Sequence, residues 1–192
     1  MLMVNVWRSI RFTIVFAIIL GLIYPLLVTG IGNVLFPYQA KGSIVSWNGR
    51  PVGSMLIAQA VTSPGLFHPR PSAVNYAANG SGGSNLGPTN PALAMEVKQN
   101  LQTVERQNPG IKVSQIPPSM VESSASGLDP DISVQDALLQ VPRISRVTGI
   151  SQSSLQQMIQ NDEVPPVLGI WGQRMVNVMQ LNLAILHRMG RS

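Results

Sequence analysis

An α+β fold carried on a single N-terminal membrane helix is what this sequence of 192 residues predicts, and three observations predict it. No charged residue stands between Arg11 and Lys41. An Asn48-Gly49 pair, the strongest short hairpin signal, is preceded by the β-prone run Ile44-Val45-Ser46-Trp47. Further on, three capping residues, Asn90, Ser133 and Ser151, each open an apolar pattern of helical period. The first observation sets the membrane helix. The other two make the remainder one mixed α and β domain.

Residues 12–35 reach about 36 Å as a helix, against a hydrocarbon core of about 30 Å. The run is longer than the apolar region of a secretory signal. Its exit, Phe36-Pro37-Tyr38-Gln39-Ala40, puts Tyr38 where a cleavage site needs a small side chain, so a retained anchor is expected. Arg8 and Arg11 precede the span and no acid occurs among the first 40 residues. The positive-inside bias then assigns residues 1–11 to the cytoplasm, 12–35 to the membrane and 36–192 to an extracytoplasmic domain. Within the span, Thr13, Ala17, Gly21, Pro25 and Thr29 recur every fourth position. Such a ridge of small side chains lets another membrane helix approach closely, which suits a subunit. Pro25 lacks an N–H and its ring presses on the Gly21 carbonyl, so a kink is expected there.

Beyond the span, residues 44–47 are expected to pair through Asn48-Gly49 with a buried strand at residues 54–61, closed by Pro64. Asn90-Pro91 is an N-cap followed by proline at the first helical position, opening a helix to about Gln107 with Leu93, Val97, Leu101 and Val104 on its apolar face. Ser133 with Asp136 resembles a capping box and starts a second helix towards Gly149, which Pro142 should bend or interrupt. A third helix starts near Ser151 and carries Leu155, Met158 and Ile159. The tail from Val176 alternates, then shifts to helical spacing, as a strand entering a terminal helix would. Asn177 and Asn182 within this apolar tail need buried partners and should fasten it to the domain.

Composition narrows the chemistry. Of the thirteen Lys and Arg, eleven follow the span, against eight Asp and Glu, so the domain is only weakly basic. No basic cluster with interleaved aromatics occurs, which argues against nucleic acid. Without cysteine and with only His68 and His187, a zinc site has no ligand set. A hydrolase would need His68 to face a loop serine, and its place between Phe67 and Pro69 suits packing better. Asp129-Pro130-Asp131 favours a turn over a cation site. The most unusual stretch joins Arg70-Pro71-Ser72 to Ser81-Gly82-Gly83-Ser84-Asn85. It lacks the Gly-Lys-Ser/Thr ending of a phosphate loop and is expected to be an ordered docking loop, with an anion-binding nest as the rival reading.

Taken in series, Tyr24-Pro25-Leu26, Gly53-Ser54-x-Leu56-Ile57-x-Gln59, Phe67-x-x-Arg70-Pro71-Ser72-Ala73, Ser81-Gly82-Gly83-Ser84-Asn85-Leu86, Ser124-Ala125-Ser126-Gly127-Leu128-Asp129, Gln140-x-x-Arg143 and Val176-Asn177-x-x-x-Leu181-Asn182-Leu183-Ala184 closely resemble the C subunits of Kdp potassium-transporting ATPases. The likeness runs in the same order over nearly the whole chain, with Ala58 where the family usually has glycine and Val61 where an aromatic is common. It implies a single-span, non-catalytic subunit of a potassium uptake complex in the cell (inner) membrane. Its partners would be membrane lipid, an ATPase subunit of the P type and a potassium-channel-like subunit. The resemblance further implies a role in assembly and in raising the ATP affinity of the ATPase subunit. ATP would sit on or with that subunit, potassium would be the transported ion, and no metal would be held here. Ser126, Gly127 and Gln140 match positions assigned to nucleotide contact. An extracytoplasmic domain would instead couple to nucleotide through the transporter, with these residues and the Gly-rich loop bracing partner subunits.

Overall fold

The structure is a computed structural model that describes residues 2–190. The chain divides into two compact units, with the boundary between Ile44 and Val45. Met1 and the last two residues of the expected 1–11 and 36–192 segments lie outside the described residues.

The first unit is helical because residues 12–35 carry no charge and form one long apolar run. Helix α1 (Leu2–Ile18) passes through a wider π-turn at Ile19–Ile23 into α2 (Tyr24–Leu35), and a short α3 (Pro37–Ala40) follows. The π-turn is how the chain accommodates Pro25: the Tyr24 N–H bonds back five residues to the Ile19 carbonyl, loosening the helix one turn before the missing donor. Residues 5–35 form a continuous apolar helix long enough to cross a bilayer. Two of its hydroxyls are satisfied along the helix, Ser9 Oγ donating to the Asn5 carbonyl and Thr13 Oγ1 to the Ser9 carbonyl, each at 2.9 Å.

In the second unit, β1 (Ile44–Trp47) and β2 (Arg50–Ser54) form the expected hairpin on either side of Asn48-Gly49, both with positive φ. The partner strand is therefore not residues 54–61. A two-residue turn brings in Arg50 at once, and the apolar run that follows is not a strand. Its backbone is captured by side chains instead: Ser54 Oγ accepts from the Leu56 N–H, and Gln59 Nε2 donates to the carbonyls of Ser54 and Ile57.

Helix α4 (Pro91–Gln107) begins as read, with the Asn90 side chain accepting from the Ala92 N–H, and Val104 is its buried residue. Helix α5 (Val134–Thr148) has both hydrogen-bonded halves of the Ser133/Asp136 capping box and ends on Gly149 at φ +74°. It runs through Pro142 without interruption. Helix α6 (Gln152–Asn161) is capped by Ser151. Two three-residue strands, β3 (Asp131–Ser133) and β4 (Met175–Asn177), pair antiparallel with Ile132 opposite Val176. At Asp129-Pro130-Asp131, where a turn is expected, the Asp129 carboxylate accepts from the Asp131 N–H and the chain enters the strand directly. Each strand feeds a helix, β3 into α5 and β4 into α7 (Val178–Met189), so the strand-to-helix tail is present as expected. Phe67, Ile132, Val141, Ile144, Leu155, Ile159, Val176, Leu181 and Ile185 build one core between this ribbon and helices α5, α6 and α7.

Candidate functional site

Two loop segments far apart in sequence close on each other. The Pro71 carbonyl accepts from the Ser124 N–H at 3.0 Å, and Ser72 Oγ donates to the Gly127 carbonyl at 2.6 Å. Gly82 N–H and Ser81 Oγ both donate to the Ser126 carbonyl, at 2.8 and 3.0 Å. Ser72 Oγ also accepts from the Tyr76 N–H, while Tyr76 Oη donates to the Arg70 carbonyl. Arg70 pairs with Asp129 at 3.6 Å. Gly127 sits at φ +66°, and a Cβ there would stand 2.6 Å from Val74 and 2.7 Å from the Gly82 carbonyl. A Cβ on Gly83 would meet the Ala125 carbonyl at 2.9 Å. Glycine is therefore required at these positions by the contact between the two loops, and the Gly82 amide is engaged inside the chain rather than offered to an anion. Of the residues singled out from sequence, Arg70, Pro71, Ser72, Ser81, Gly82 and Gly83 meet Ser126 and Gly127 here. Ser84 and the exposed Asn85 lie at the far end of the loop, Ser84 on a shallow groove shared with Glu96 and Asn100.

Gln140 stands apart from that lock, on the buried face of α5. Its Oε1 accepts from the His68 N–H at 2.8 Å and from Arg143 Nη2 at 2.7 Å, and its Nε2 donates to the His68 carbonyl at 3.2 Å. Arg143, one helical turn on and 3 % exposed, has no carboxylate partner among the described residues. It donates instead to the carbonyls of Pro64 and Leu66 and to Asn108 Oδ1. Burial, with Arg146 nearby, lowers its pKa to about 10, so it stays charged at neutral pH. Asn182 completes the set by bracketing Phe67, accepting from its N–H at 2.7 Å and donating to its carbonyl at 2.9 Å. Asn177 Nδ2 donates to the Met55 carbonyl and to Asp131 Oδ1, so both tail asparagines fasten the terminus as expected. Burial raises the Asp131 carboxyl, the Asn177 bond opposing it.

His68 serves this scaffold. Its Nε2 lies 2.9 Å from the Ser63 carbonyl and its Nδ1 3.3 Å from Gln107 Oε1, so both ring nitrogens are engaged by groups other than a nucleophile. Burial lowers its pKa, against a smaller opposing effect of the Ser63 carbonyl. Between α4 and α5 a half-open cavity of about 280 Å³ is lined by His68, Arg70, Tyr76, Asn100, Asp136 and Gln140 among others. Sequence reading did not find this cavity, nor the hub role of Arg143. The available signal was the three-residue spacing of Gln140 and Arg143 on one helix face.

In the anchor, Thr13, Ala17, Gly21, Pro25 and Thr29 are all exposed, and a Cβ on Gly21 would meet nothing within 4 Å.

The sequence that builds these features matches known proteins. A family model described as KdpC, K+-transporting ATPase, c chain, matches residues 6–187. The potassium-transporting ATPase KdpC subunit of Caldanaerobacter subterraneus subsp. tengcongensis is 48 % identical over 179 residues, 93 % of each chain. That of Janthinobacterium sp. (strain Marseille) is 46 % identical over 174 residues, 89 % of this chain and 92 % of its own. That of Bacillus cereus (strain Q1) is 41 % identical over 177 residues, 92 % of each. Because the match takes in the membrane helix, both interlocked loops and the Gln140/Arg143 hub in one continuous span, the chain belongs to the KdpC family, the C subunits of potassium-transporting ATPases.

Proposed function

We propose that this chain is the non-catalytic accessory subunit of an ATP-driven potassium uptake complex, with ATP hydrolysed on an ATPase subunit and potassium carried by a channel-like subunit. Its N-terminus would be cytoplasmic and its domain would lie outside the membrane, as the charge bias around the span favours. In this reading the domain braces its partners and shifts the conformational equilibrium of the transporter, raising ATP affinity on the other side of the bilayer without touching nucleotide. The observation that carries it is the state of Gln140. That side chain is 3 % exposed, and three of its four hydrogen-bonding positions are filled by His68 and Arg143. It is suited to holding shape, and less to meeting a nucleotide. Ser126 and Gly127 then act by fixing the loop of Arg70, Pro71, Ser72, Ser81, Gly82, Gly83, Ser84 and Asn85 for docking, while the ridge of Thr13, Ala17, Gly21, Pro25 and Thr29 packs on a membrane helix of the complex.

The test is affinity isolation of the tagged full chain with Gly21→Leu, joined to potassium-stimulated ATP hydrolysis of what is recovered. A Cβ at this position would meet nothing within 4 Å among the described residues. Losing one close helix contact, worth about 1–2 kcal/mol, should cut recovery of the partner subunits roughly tenfold. Wild-type recovery would remove the helix-packing part. An ATP KM unchanged in a complex stripped of this chain would remove the coupling part.

A further inference from the structure

Between Glu163 and Arg174 the chain leaves the core and returns. Val164 and Met175 exchange backbone hydrogen bonds at the base, and Val167 and Trp171 do so further out. The four most exposed large apolar side chains described in the second unit are all here: Val167, Leu168, Ile170 and Trp171. Leu168 at the apex is 80 % exposed, matching Val34 of the membrane helix at 79 %. Residues 164–173 contain no charge, and the charged pair Arg174–Glu163, 3.2 Å apart, stands at the base.

We propose that this turn is a membrane-inserting tip whose occupant is the bilayer itself, with Leu168, Ile170 and Trp171 entering the headgroup–acyl boundary. The proposal rests on the reading that the N-terminal helix is a retained anchor. Three features favour lipid over a protein surface. The patch is convex and made of consecutive residues, so it needs a partner that adapts its shape, as a fluid bilayer does and a folded surface does not. The polar backbone is largely satisfied within the turn: the amides of Val167, Gly169, Ile170 and Trp171 all donate to carbonyls of the turn, and Pro165 and Pro166 have none to satisfy. That removes much of the cost of leaving water, which would otherwise bar irregular backbone from an apolar phase. The side-chain order is also that of an interfacial element, a tryptophan beside aliphatic residues with the charges set back at headgroup level.

The tether supplies the encounter. Residues 36–44 separate the end of the membrane helix from the second unit and can extend to no more than about 30 Å, while a domain of this size has a radius of gyration of about 15 Å. The domain is thus confined to the bilayer surface at high effective concentration, and even a weakly apolar tip would partition. A soluble domain would have to bind lipid unaided.

The chain has no cysteine, so single labels can be placed without a background. Nitroxides at Leu168→Cys and Ile170→Cys, in the full chain within its assembled complex in phosphatidylcholine nanodiscs, are compared with one at the exposed Gln156→Cys on α6. The reagents are oxygen, which partitions into lipid, and an aqueous nickel chelate. The tip labels should be open to oxygen and shielded from nickel, giving an oxygen-to-nickel ratio several-fold above that of the Gln156 label. Ready access to nickel would overturn the proposal, leaving the tip in water. Shielding from both reagents would overturn it in favour of a protein partner. A label at Leu22→Cys separates this failure from that of the anchor: nickel access there would mean the helix is not in the membrane at all.

Discussion

The membrane helix and the domain that follows it hold their shape in opposite ways. From Asn5 to Ile31 every side chain is exposed, and the helix is held by its own backbone ladder and by local side-chain contacts such as the Ser9 and Thr13 hydroxyl-to-carbonyl bonds and the Phe12–Phe16 ring stack. In the domain, short strands supply little backbone pairing, and buried polar side chains hold the loops instead. Gln140, Arg143 and Asn182 grip the backbone of residues 64–68, while Ser72 and Ser81 grip that of residues 126–127. The difference teaches where a substitution should be felt. A change on the helix ridge should leave the chain folded and appear as lost assembly. A change in the polar scaffold should appear as lost folding, whether or not any partner is present.

The largest test of that division is Arg143→Met. Methionine fills much of the volume but leaves the carbonyls of Pro64 and Leu66, and the side-chain oxygens of Asn108 and Gln140, without the charged donor. Leaving a buried acceptor without its donor costs about 1–3 kcal/mol, and several lose theirs at once here, a large part of the stability of an ordinary domain. Denaturation of the full chain in detergent should show a loss of that size, with co-purification falling only because less folded chain is available. A loss below about 1 kcal/mol would place Arg143 among ordinary surface positions and break the comparison.

Gly127→Ala comes next. The left-handed backbone costs about 1–2 kcal/mol for any residue with a Cβ, and the contacts with Val74 and the Gly82 carbonyl add to it, for roughly 3 kcal/mol in all. The expected signature is local: faster hydrogen exchange at the Gly82 amide, whose acceptor is the Ser126 carbonyl. Gly110→Ala is the control, since Gly110 has φ +95° but nothing within 4 Å of a Cβ. Equal losses at both would mean that backbone strain alone matters and that the two loops are not locked together.

What was legible in the sequence follows the same physical line. Helices α4, α5 and α6 were readable because their start signals are local: Asn90, Ser133 and Ser151 cap the next turn of their own chain. Strands were less so. β3 is three residues long and has no alternation to read; it exists because β4, more than forty positions later, pairs with it. The run at 54–61 looked like a strand because it is apolar, yet Ser54 and Gln59 fold its backbone onto side chains. The ordered loop was legible from its Ser, Gly and Asn content, but its partners were not, because Ser126 lies 45 positions from Ser81. Gln140 was visible only through family resemblance, and its role depends on His68, 72 positions away. The tip at 164–173 was invisible for another reason: apolar residues alone do not say whether a segment faces the core or leaves it.

The smallest expected effect is a pH dependence belonging to the domain alone. The membrane helix has no carboxylate, histidine or base between Arg11 and Lys41, whereas the domain holds His68 in contact with both α4 and the segment that Gln140 grips. Its Nε2 faces the Ser63 carbonyl and so carries the proton of the neutral ring, and burial keeps the folded pKa below the ordinary 6.5. As pH falls through 6.5 the unfolded chain takes up a proton before the folded chain does. The contribution of His68 is therefore complete above that pH and is lost as pH drops towards the lower folded value. Asp131 acts in the opposite sense: its raised carboxyl binds a proton earlier in the folded state, which favours folding as pH falls towards 3.8. The denaturation midpoint should thus fall between about pH 7 and pH 5.5, and the slope should vanish in His68→Gln, where an uncharged amide replaces the imidazole. A slope that survives the substitution would belong to another group, and the scaffold around Gln140 would then be indifferent to the protonation of the residue it holds.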